Sequence, residues 1–234
     1  MSIKKVSIII PIYNEVNILE EVLERICQAS FADLEKEIII VDDGSFDGTT
    51  ELLKEIPATS EFKIYFHDKN QGKGAAIRTA LNYTSGDIIV IQDADLEYNP
   101  DDYDKILDLI INNEAVVVYG SRLLGEKDKR VFMFLSRLFN KFITLFANLL
   151  YGKNLTDIET CYKAFRADII EDIKIESNGF SFDPEITAKI LKKSHNISEV
   201  PISYFARGYK EGKKILWTDA FVAIYTLIKY KFIV

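Results

Sequence analysis

Short apolar runs recur along the first half of this 234-residue chain, and each one ends in a turn. Runs of this length, rich in β-branched residues and without alternation, are typical of parallel strands buried on both faces. We therefore predict five core strands, at Val6–Ile10, Ile38–Val41, Lys63–Phe66, Ile88–Ile91 and Val116–Val118.

Helical patterns separate these runs. Apolar residues at Ile18, Leu19, Val22, Leu23 and Ile26 repeat every three or four positions, and Asn99-Pro100 supplies an N-cap and first-turn proline for a helix through Leu109. Alternating strands and helices predict an α/β fold, an open and mostly parallel sheet flanked by helices. In such sheets ligands bind at the carboxyl ends of the strands.

Carboxylates follow two of the predicted strands at that edge. Asp42-Asp43 follows the second strand, and Asp93-Ala94-Asp95 follows the fourth. Because strand side chains alternate, we expect Asp93 and Asp95 to point the same way. Such a pair suits Mg²⁺ or Mn²⁺, which prefer oxygen ligands and keep positions open for phosphate. A lone pair of this kind is more often a solvated turn, but carboxylates at several strand ends favour a site.

Composition limits the classes of function. A hydrophobic content of 48% supports a sizeable core, and a net charge of −7 argues against nucleic acid as a partner. Cys27 and Cys161 make no disulfide framework, and neither a secretory leader nor a stretch of ~20 apolar residues is evident. We expect a cytoplasmic protein.

The second half changes character. Residues Val131–Tyr151 predict one long amphipathic helix with a narrow polar stripe at Arg137, Lys141, Thr144 and Asn148, and Trp217–Tyr230 predicts a second helix. A wide apolar face beside basic residues fits a helix in a membrane interface, and fits packing on the sheet or on a partner subunit equally well. We expect a catalytic domain over residues 1–210, including the helix at 131–151, and a C-terminal amphipathic helix over 211–234.

A series of motifs, in this order and spacing, resembles the family 2 glycosyltransferases of GT-A fold, and more narrowly the dolichyl- or polyprenyl-phosphate mannose and glucose synthases. The resemblance covers nearly the whole chain. The motifs are Ile10-Pro-Ile-Tyr-Asn-Glu15, Val41-Asp-Asp-Gly-Ser45, Asp47-Gly-Thr49, Gly72-Lys-Gly-Ala-Ala76, Gly86-Asp87, Asp93-Ala-Asp-Leu96, Gly120-Ser-Arg122 and Ser136-Arg137. Where the mannose synthases usually read Ser-Gly-Phe, this chain has Asp157-Ile-Glu-Thr-Cys161-Tyr-Lys163.

The resemblance implies a set of roles. It places the base and ribose of a nucleotide sugar, GDP- or UDP-linked, at Pro11, Tyr13, Glu15, Asp42 and Asp43. It places the metal and diphosphate at Asp93, Ala94 and Asp95, with Glu97 where a third metal ligand is expected. It places cations around the acceptor phosphate and departing diphosphate at Arg122, Arg137, Arg207 and Lys213. Separately, the glycines around Lys73 suggest that the backbone at Gly72 approaches the nucleotide.

These roles imply an inverting, metal-dependent transfer of a hexose to a polyprenyl phosphate. A lipid phosphate is already ionised and needs no strong base, whereas a hydroxyl acceptor would need one, for which Asp157 or Glu159 is the candidate. The lone histidines, His67 and His195, are interpreted as structural.

Two other functions stay open at this point. One is transfer to a glycan or protein hydroxyl, and the other is a non-catalytic nucleotide-sugar-binding subunit. Family members often carry transmembrane helices after the catalytic domain, and none is evident in this sequence up to Val234. We therefore expect peripheral attachment to the cytosolic face of a membrane, with or without an anchoring partner.

Overall fold

A computed structural model describes residues 3–57, 59, 61–124, 134–205 and 217–233. Seven strands are present in this part of the chain, and all belong to one sheet. They are β1 (Lys5–Ile12), β2 (Glu35–Asp42), β3 (Phe62–Phe66), β4 (Ile88–Ile91), β5 (Val117–Ser121), β6 (Lys163–Arg166) and β7 (Ser198–Pro201).

The strand order is β3-β2-β1-β4-β6-β5-β7. All neighbouring strands run parallel except β6, which lies antiparallel between β4 and β5. The apolar segments of β1, β2 and β4 are buried, as expected for central strands with both faces covered. The five predicted strands and the mostly parallel α/β sheet are confirmed, whereas β6 and β7 were not predicted.

Helices cover the sheet and extend beyond it. They are α1 (Leu19–Gln28), α2 (Thr49–Glu55), α3 (Lys73–Leu81), α4 (Tyr103–Ile111), α5 (Phe134–Tyr151), α6 (Ala167–Glu171), α7 (Phe182–Lys192) and α8 (Trp217–Phe232). The helix predicted from Asn99-Pro100 begins with a 3-10 turn at Pro100–Asp102, where the Asn99 side chain accepts a hydrogen bond from the Asp101 amide at 3.2 Å.

A second apolar core lies between α5, α7 and α8. Ile143 and Ala147 of α5, Leu191 of α7 and Leu227 and Tyr230 of α8 are all buried in it. The Tyr151 hydroxyl also donates to the Leu227 carbonyl at 2.8 Å. Helix α8 therefore shares a core with helices of the predicted catalytic domain, and the boundary near residue 210 stays a prediction.

The predicted amphipathic helix exists, with its described part starting at Phe134, but its polar stripe does not form one exposed face. Arg137 and Lys141 are exposed, whereas Thr144 is buried and Asn148 bonds the Leu155 backbone through both its amide and its carbonyl oxygen. The stripe is therefore divided: its first half is exposed, and its second half contacts the backbone of residues 155–158. Among the described helices, none is long and apolar enough to span a membrane.

Candidate active site at the carboxyl ends of the strands

The two aspartates that end β2 have different surroundings. Asp42 is buried and accepts hydrogen bonds from the amide and hydroxyl of Ser45, at 3.1 and 2.5 Å, and from the Thr50 hydroxyl. These contacts close the turn after β2. The described contacts of the Asp42 carboxylate therefore stabilise its own turn, whereas the sequence placed this residue beside the ribose.

Asp43, also buried, ties the turn after β2 to the turn after β3. Its carboxylate lies 2.6 Å from Nδ1 of His67 and accepts hydrogen bonds from the amides of Gln71 and Gly72, at 3.0 and 2.7 Å. Nε2 of His67 in turn lies 2.9 Å from the Thr79 hydroxyl. His67 therefore holds Asp43, one of the residues predicted to bind the nucleotide, in a fixed position, which agrees with the structural role expected for this histidine.

The Gly72 backbone adopts a conformation that few other residues allow. Its φ is +100°, and a Cβ there would lie 2.4 Å from the Asn178 carbonyl oxygen. This close approach begins α3 and fixes the position of the next side chain, that of Lys73.

Lys73 is a site residue that sequence reasoning missed. Its ammonium nitrogen lies 2.8 and 3.0 Å from the two carboxylate oxygens of Asp93 and 3.1 Å from the Cys161 sulfur. Burial alone would lower the pKa of Lys73, but attraction to Asp93 outweighs it and raises the pKa well above its usual value. The Gly72-Lys73-Gly74 motif was visible in the sequence, whereas its pairing with Asp93 depends on the fold.

Asp93, Ala94 and Asp95 follow β4 as predicted but lie in a turn, because the strand ends at Ile91. Strand alternation therefore does not apply to these two residues, and the shared direction of their carboxylates stays a prediction. Asp95 accepts a hydrogen bond from the Glu97 amide at 3.1 Å, and Leu96 between them has a φ of +57°. Ala94 is buried and anchors the turn.

The predicted third metal ligand has its own partner. Glu97 accepts a hydrogen bond from the Tyr204 hydroxyl at 2.7 Å. Within the described residues, no three acidic, histidine or cysteine side chains are assembled into a metal cluster. The donor set nevertheless fits a hard cation, because Asp93 and Asp95 offer carboxylate oxygens, and the Lys73 ammonium shows that Asp93 binds a positive charge.

Arg122 and Asp157 form a closed ion pair beside this turn. Arg122 bonds both oxygens of Asp157, each at 2.8 Å, and Asn140 donates a further hydrogen bond at 2.7 Å. Burial would raise the pKa of Asp157, but the Arg122 charge and these hydrogen bonds lower it below the usual value. The guanidinium also lies 5.2 Å from the centre of the Tyr204 ring.

The remaining predicted residues are partly placed. Pro11, near the end of β1, and Glu15, in the turn that follows it, are half-buried, and the Tyr13 ring is 41% exposed. Arg137 is exposed near the start of α5, whereas Arg207 and Lys213 lie outside the described residues.

A family model, Glycosyl transferase family 2, matches residues 7–174. The chain belongs to this family. Its α/β architecture is that of the GT-A glycosyltransferases: it overlays glucosyl-3-phosphoglycerate synthase of Mycobacterium tuberculosis, solved with Mg²⁺ and UDP, with a TM-score of 0.73 at 19% identity over 97% of this chain and 79% of that one.

Curated members of family 2 are similar over most of this chain. Dolichol-phosphate mannosyltransferase of Pyrococcus furiosus is 31% identical over 89% of the chain, which spans 59% of that protein. UDP-N-acetylglucosamine–dolichyl-phosphate N-acetylglucosaminyltransferase of Methanococcus voltae is 28% identical over 99% of the chain and 98% of its own length. An undecaprenyl-phosphate 4-deoxy-4-formamido-L-arabinose transferase of Aeromonas hydrophila is 27% identical over 90% of the chain, which spans 63% of it.

One further buried charge cluster in this family 2 chain lies next to Asp157. Lys163 of β6 pairs with Asp183 of α7, and Glu159 lies close to both, with one carboxylate oxygen that makes no hydrogen bond. Burial, followed by repulsion from Asp183, raises the pKa of Glu159 to about 8. A pKa raised in this way favours the protonated form of Glu159 near neutral pH.

This raised pKa predicts a pH-dependent stability. The unfolded chain releases the Glu159 proton near pH 4.5, but the folded chain keeps it up to about pH 8, so stability falls as pH rises between those values and then levels off. A pKa difference of this size corresponds to a penalty of about 4–5 kcal/mol at pH 8, which the partial solvent exposure of Glu159 reduces to about 2 kcal/mol. Removing that penalty in Glu159→Gln should raise Tm by roughly 4–8 °C at pH 8, with a much smaller change at pH 5.

Thermal unfolding at the two pH values measures the effect. Glu114→Gln, at an exposed position, is the matched control and should leave Tm unchanged at both. An equal Tm change for Glu159→Gln at pH 5 and pH 8 would show that Glu159 is ionised in the fold.

Proposed function

We propose that this protein is an inverting, metal-dependent glycosyltransferase that moves a sugar from a nucleoside diphosphate to a polyprenyl phosphate at a membrane surface. The convergence of Asp43, Asp93 and Arg122 on the carboxyl edge of the sheet carries the proposal. The names of the similar family members, which act on dolichyl or undecaprenyl phosphate, support the acceptor class.

The donor nucleotide would bind over the turns after β1, β2 and β3. Asp43 is held by three hydrogen-bonding partners, so its position is set before the ligand arrives. Tyr13 exposes an aromatic ring above the same edge, and the close packing of Gly72 on the Asn178 carbonyl holds the turn after β3 in place beside it. Exposed aromatic surface with few fixed polar groups is typical of nucleotide sites.

Asp93 and Asp95 would hold Mg²⁺ or Mn²⁺ beside the diphosphate. When bound, the metal would neutralise the charge that develops on the departing nucleoside diphosphate. Lys73 lies against Asp93 on a flexible side chain, so its ammonium can move from the carboxylate to a phosphate oxygen. Asp93 would then be paired with the metal ion and Lys73 with the phosphate, so neither side chain would lose its partner of opposite charge.

The acceptor side favours a phosphate over a hydroxyl. Asp157 has a lowered pKa and is saturated by Arg122 and Asn140, which makes it a poor proton acceptor. A lipid phosphate is already ionised and needs cations rather than a base. We propose that Arg122, fixed by Asp157, is one of these cations and that Arg137, Arg207 and Lys213 supply the others.

A hydroxyl acceptor is the second candidate, and one observation favours it. Glu159 has an unbonded carboxylate oxygen and a pKa of about 8, so above that pH it could accept a proton. Transfer to a hydroxyl would then require Glu159, whereas transfer to a lipid phosphate would tolerate Glu159→Gln.

The membrane contact would be made by the outer faces of α5 and α8. Large apolar side chains are exposed on each helix at intervals of four, three and four residues, at Leu138, Phe142, Leu145 and Leu149 and at Phe221, Tyr225, Ile228 and Phe232. Two such stripes on adjoining helices, with Arg137, Lys141 and Lys231 in the same helices, fit insertion into an anionic lipid interface.

A transfer assay tests the function. The protein is incubated with Mg²⁺, undecaprenyl phosphate and labelled GDP-mannose, UDP-glucose or UDP-N-acetylglucosamine, and chloroform-soluble label is counted. At least one donor should give lipid-linked sugar, and Asp95→Asn should lower kcat about 10²–10³-fold by removing a metal charge.

Asp172→Asn, at an exposed aspartate, is the control and should match the wild type. Label transferred only to a soluble acceptor, with none in lipid, would contradict the proposed acceptor. Asp95→Asn within tenfold of wild type would contradict the metal assignment.

Vesicle binding tests the membrane contact. The variant Leu149→Ser/Phe221→Ser removes two side chains that are 77% and 72% exposed, so folding should be unaffected. Since burying each contributes about 1.5–3 kcal/mol, partitioning onto vesicles with anionic lipid should fall at least tenfold. Tyr83→Ser, at a ring stacked on Tyr65, should bind as the wild type does, and equal binding by all three proteins would contradict the assignment.

A further inference from the structure

Phe46 stands out because it is the most exposed large apolar side chain outside α5 and α8 among the described residues. Its relative exposure is 80%, in the turn after β2 that also contains Asp43 and Ser45. An exposed phenyl ring does not stabilise the fold through burial. A ligand that covers the ring would therefore gain the free energy of removing its apolar surface from water.

The backbone beneath Phe46 is fixed by hydrogen bonds to the turn after β1. The Phe46 amide donates to the Asn14 side chain at 3.0 Å, and the Asn14 amide donates to the Ser45 hydroxyl at 2.9 Å. Next to them, the amides of Glu15 and Val16 donate to the side chains of Thr49 and Asp47, at 3.0 and 3.2 Å.

These four hydrogen bonds fix the turn after β1 against the turn after β2. Two aromatic rings, one from each turn, lie together as a result. The centroids of Tyr13 and Phe46 lie 6.1 Å apart with their planes at 75°. Both rings are exposed, so the pair forms a corner with one face and one edge open to solvent. A planar ligand could stack on one ring and meet the other at its edge.

We propose that Phe46 is a binding residue for the base of the donor nucleotide, and that with Tyr13 it determines which base is preferred. This rests on the proposed function, because the base is the only planar group of a nucleotide sugar. The corner lies at the carboxyl ends of β1 and β2, and Phe46 is in the same turn as Asp43, whereas Asp93 follows β4, on the other side of β1 from β2. The base would thus lie over the ends of β1 and β2, and the diphosphate toward the turn after β4.

Stacking by an aromatic side chain contributes about 1–3 kcal/mol per base, which corresponds to roughly a 5- to 150-fold change in affinity. Phe46→Ala should therefore weaken UDP and GDP binding in the presence of Mn²⁺ by at least fivefold. Binding of Mn²⁺-pyrophosphate, which has no base, should stay within twofold. Phe46→Trp should restore nucleotide affinity and change the ratio of the UDP and GDP dissociation constants.

Calorimetry with the full chain gives all of these values, and Tyr83→Ala, at another exposed ring, is the control that should leave every one unchanged. Equal loss of UDP and pyrophosphate binding in Phe46→Ala would overturn the assignment, since the ring would then act on the diphosphate end. Unchanged UDP and GDP binding would also overturn it while the proposed function stands. Absence of nucleotide binding by the wild type would overturn both.

Discussion

The site depends on one constraint: each buried carboxylate at the carboxyl edge of the sheet must be paired with a cation or with hydrogen-bond donors. A parallel sheet brings the ends of β1, β2 and β4 together, and the sequence puts aspartates at two of them. Buried carboxylates without partners would be costly, so each needs a cation or several hydrogen-bond donors. Asp43 has His67 and two amides, Asp93 has Lys73, and Asp157 has Arg122.

The type of partner separates structural from functional carboxylates. Asp157 is enclosed by a bidentate guanidinium and an amide, a geometry that resists exchange, and its pKa is lowered accordingly. Asp93 faces a single ammonium on a flexible side chain, and a divalent cation could take that place. This contrast is the reason why we propose that Asp157 orients Arg122 and that Asp93 exchanges its partner during catalysis.

Sequence reasoning found the strands because their apolar runs are long and bounded by turns. It missed β6, since Lys163 and Arg166 at its ends break the apolar run and its antiparallel pairing with β4 and β5 is a tertiary property. The strand-end aspartates were found from their positions alone. Lys73 was not assigned a role, because only the fold brings it to Asp93. The partial burial of the α5 polar stripe was not predicted either, because contacts with residues 155–158 decide it.

Crystals grown with Mn²⁺ and UDP would test the central claim most directly, through the anomalous signal of the metal. We expect the Mn²⁺ peak to lie within about 2.5 Å of carboxylate oxygens of both Asp93 and Asp95. We also expect the Lys73 ammonium to have moved from Asp93 to a phosphate oxygen. A nucleotide bound with its metal away from both aspartates, or with the Lys73–Asp93 pair intact, would contradict this claim.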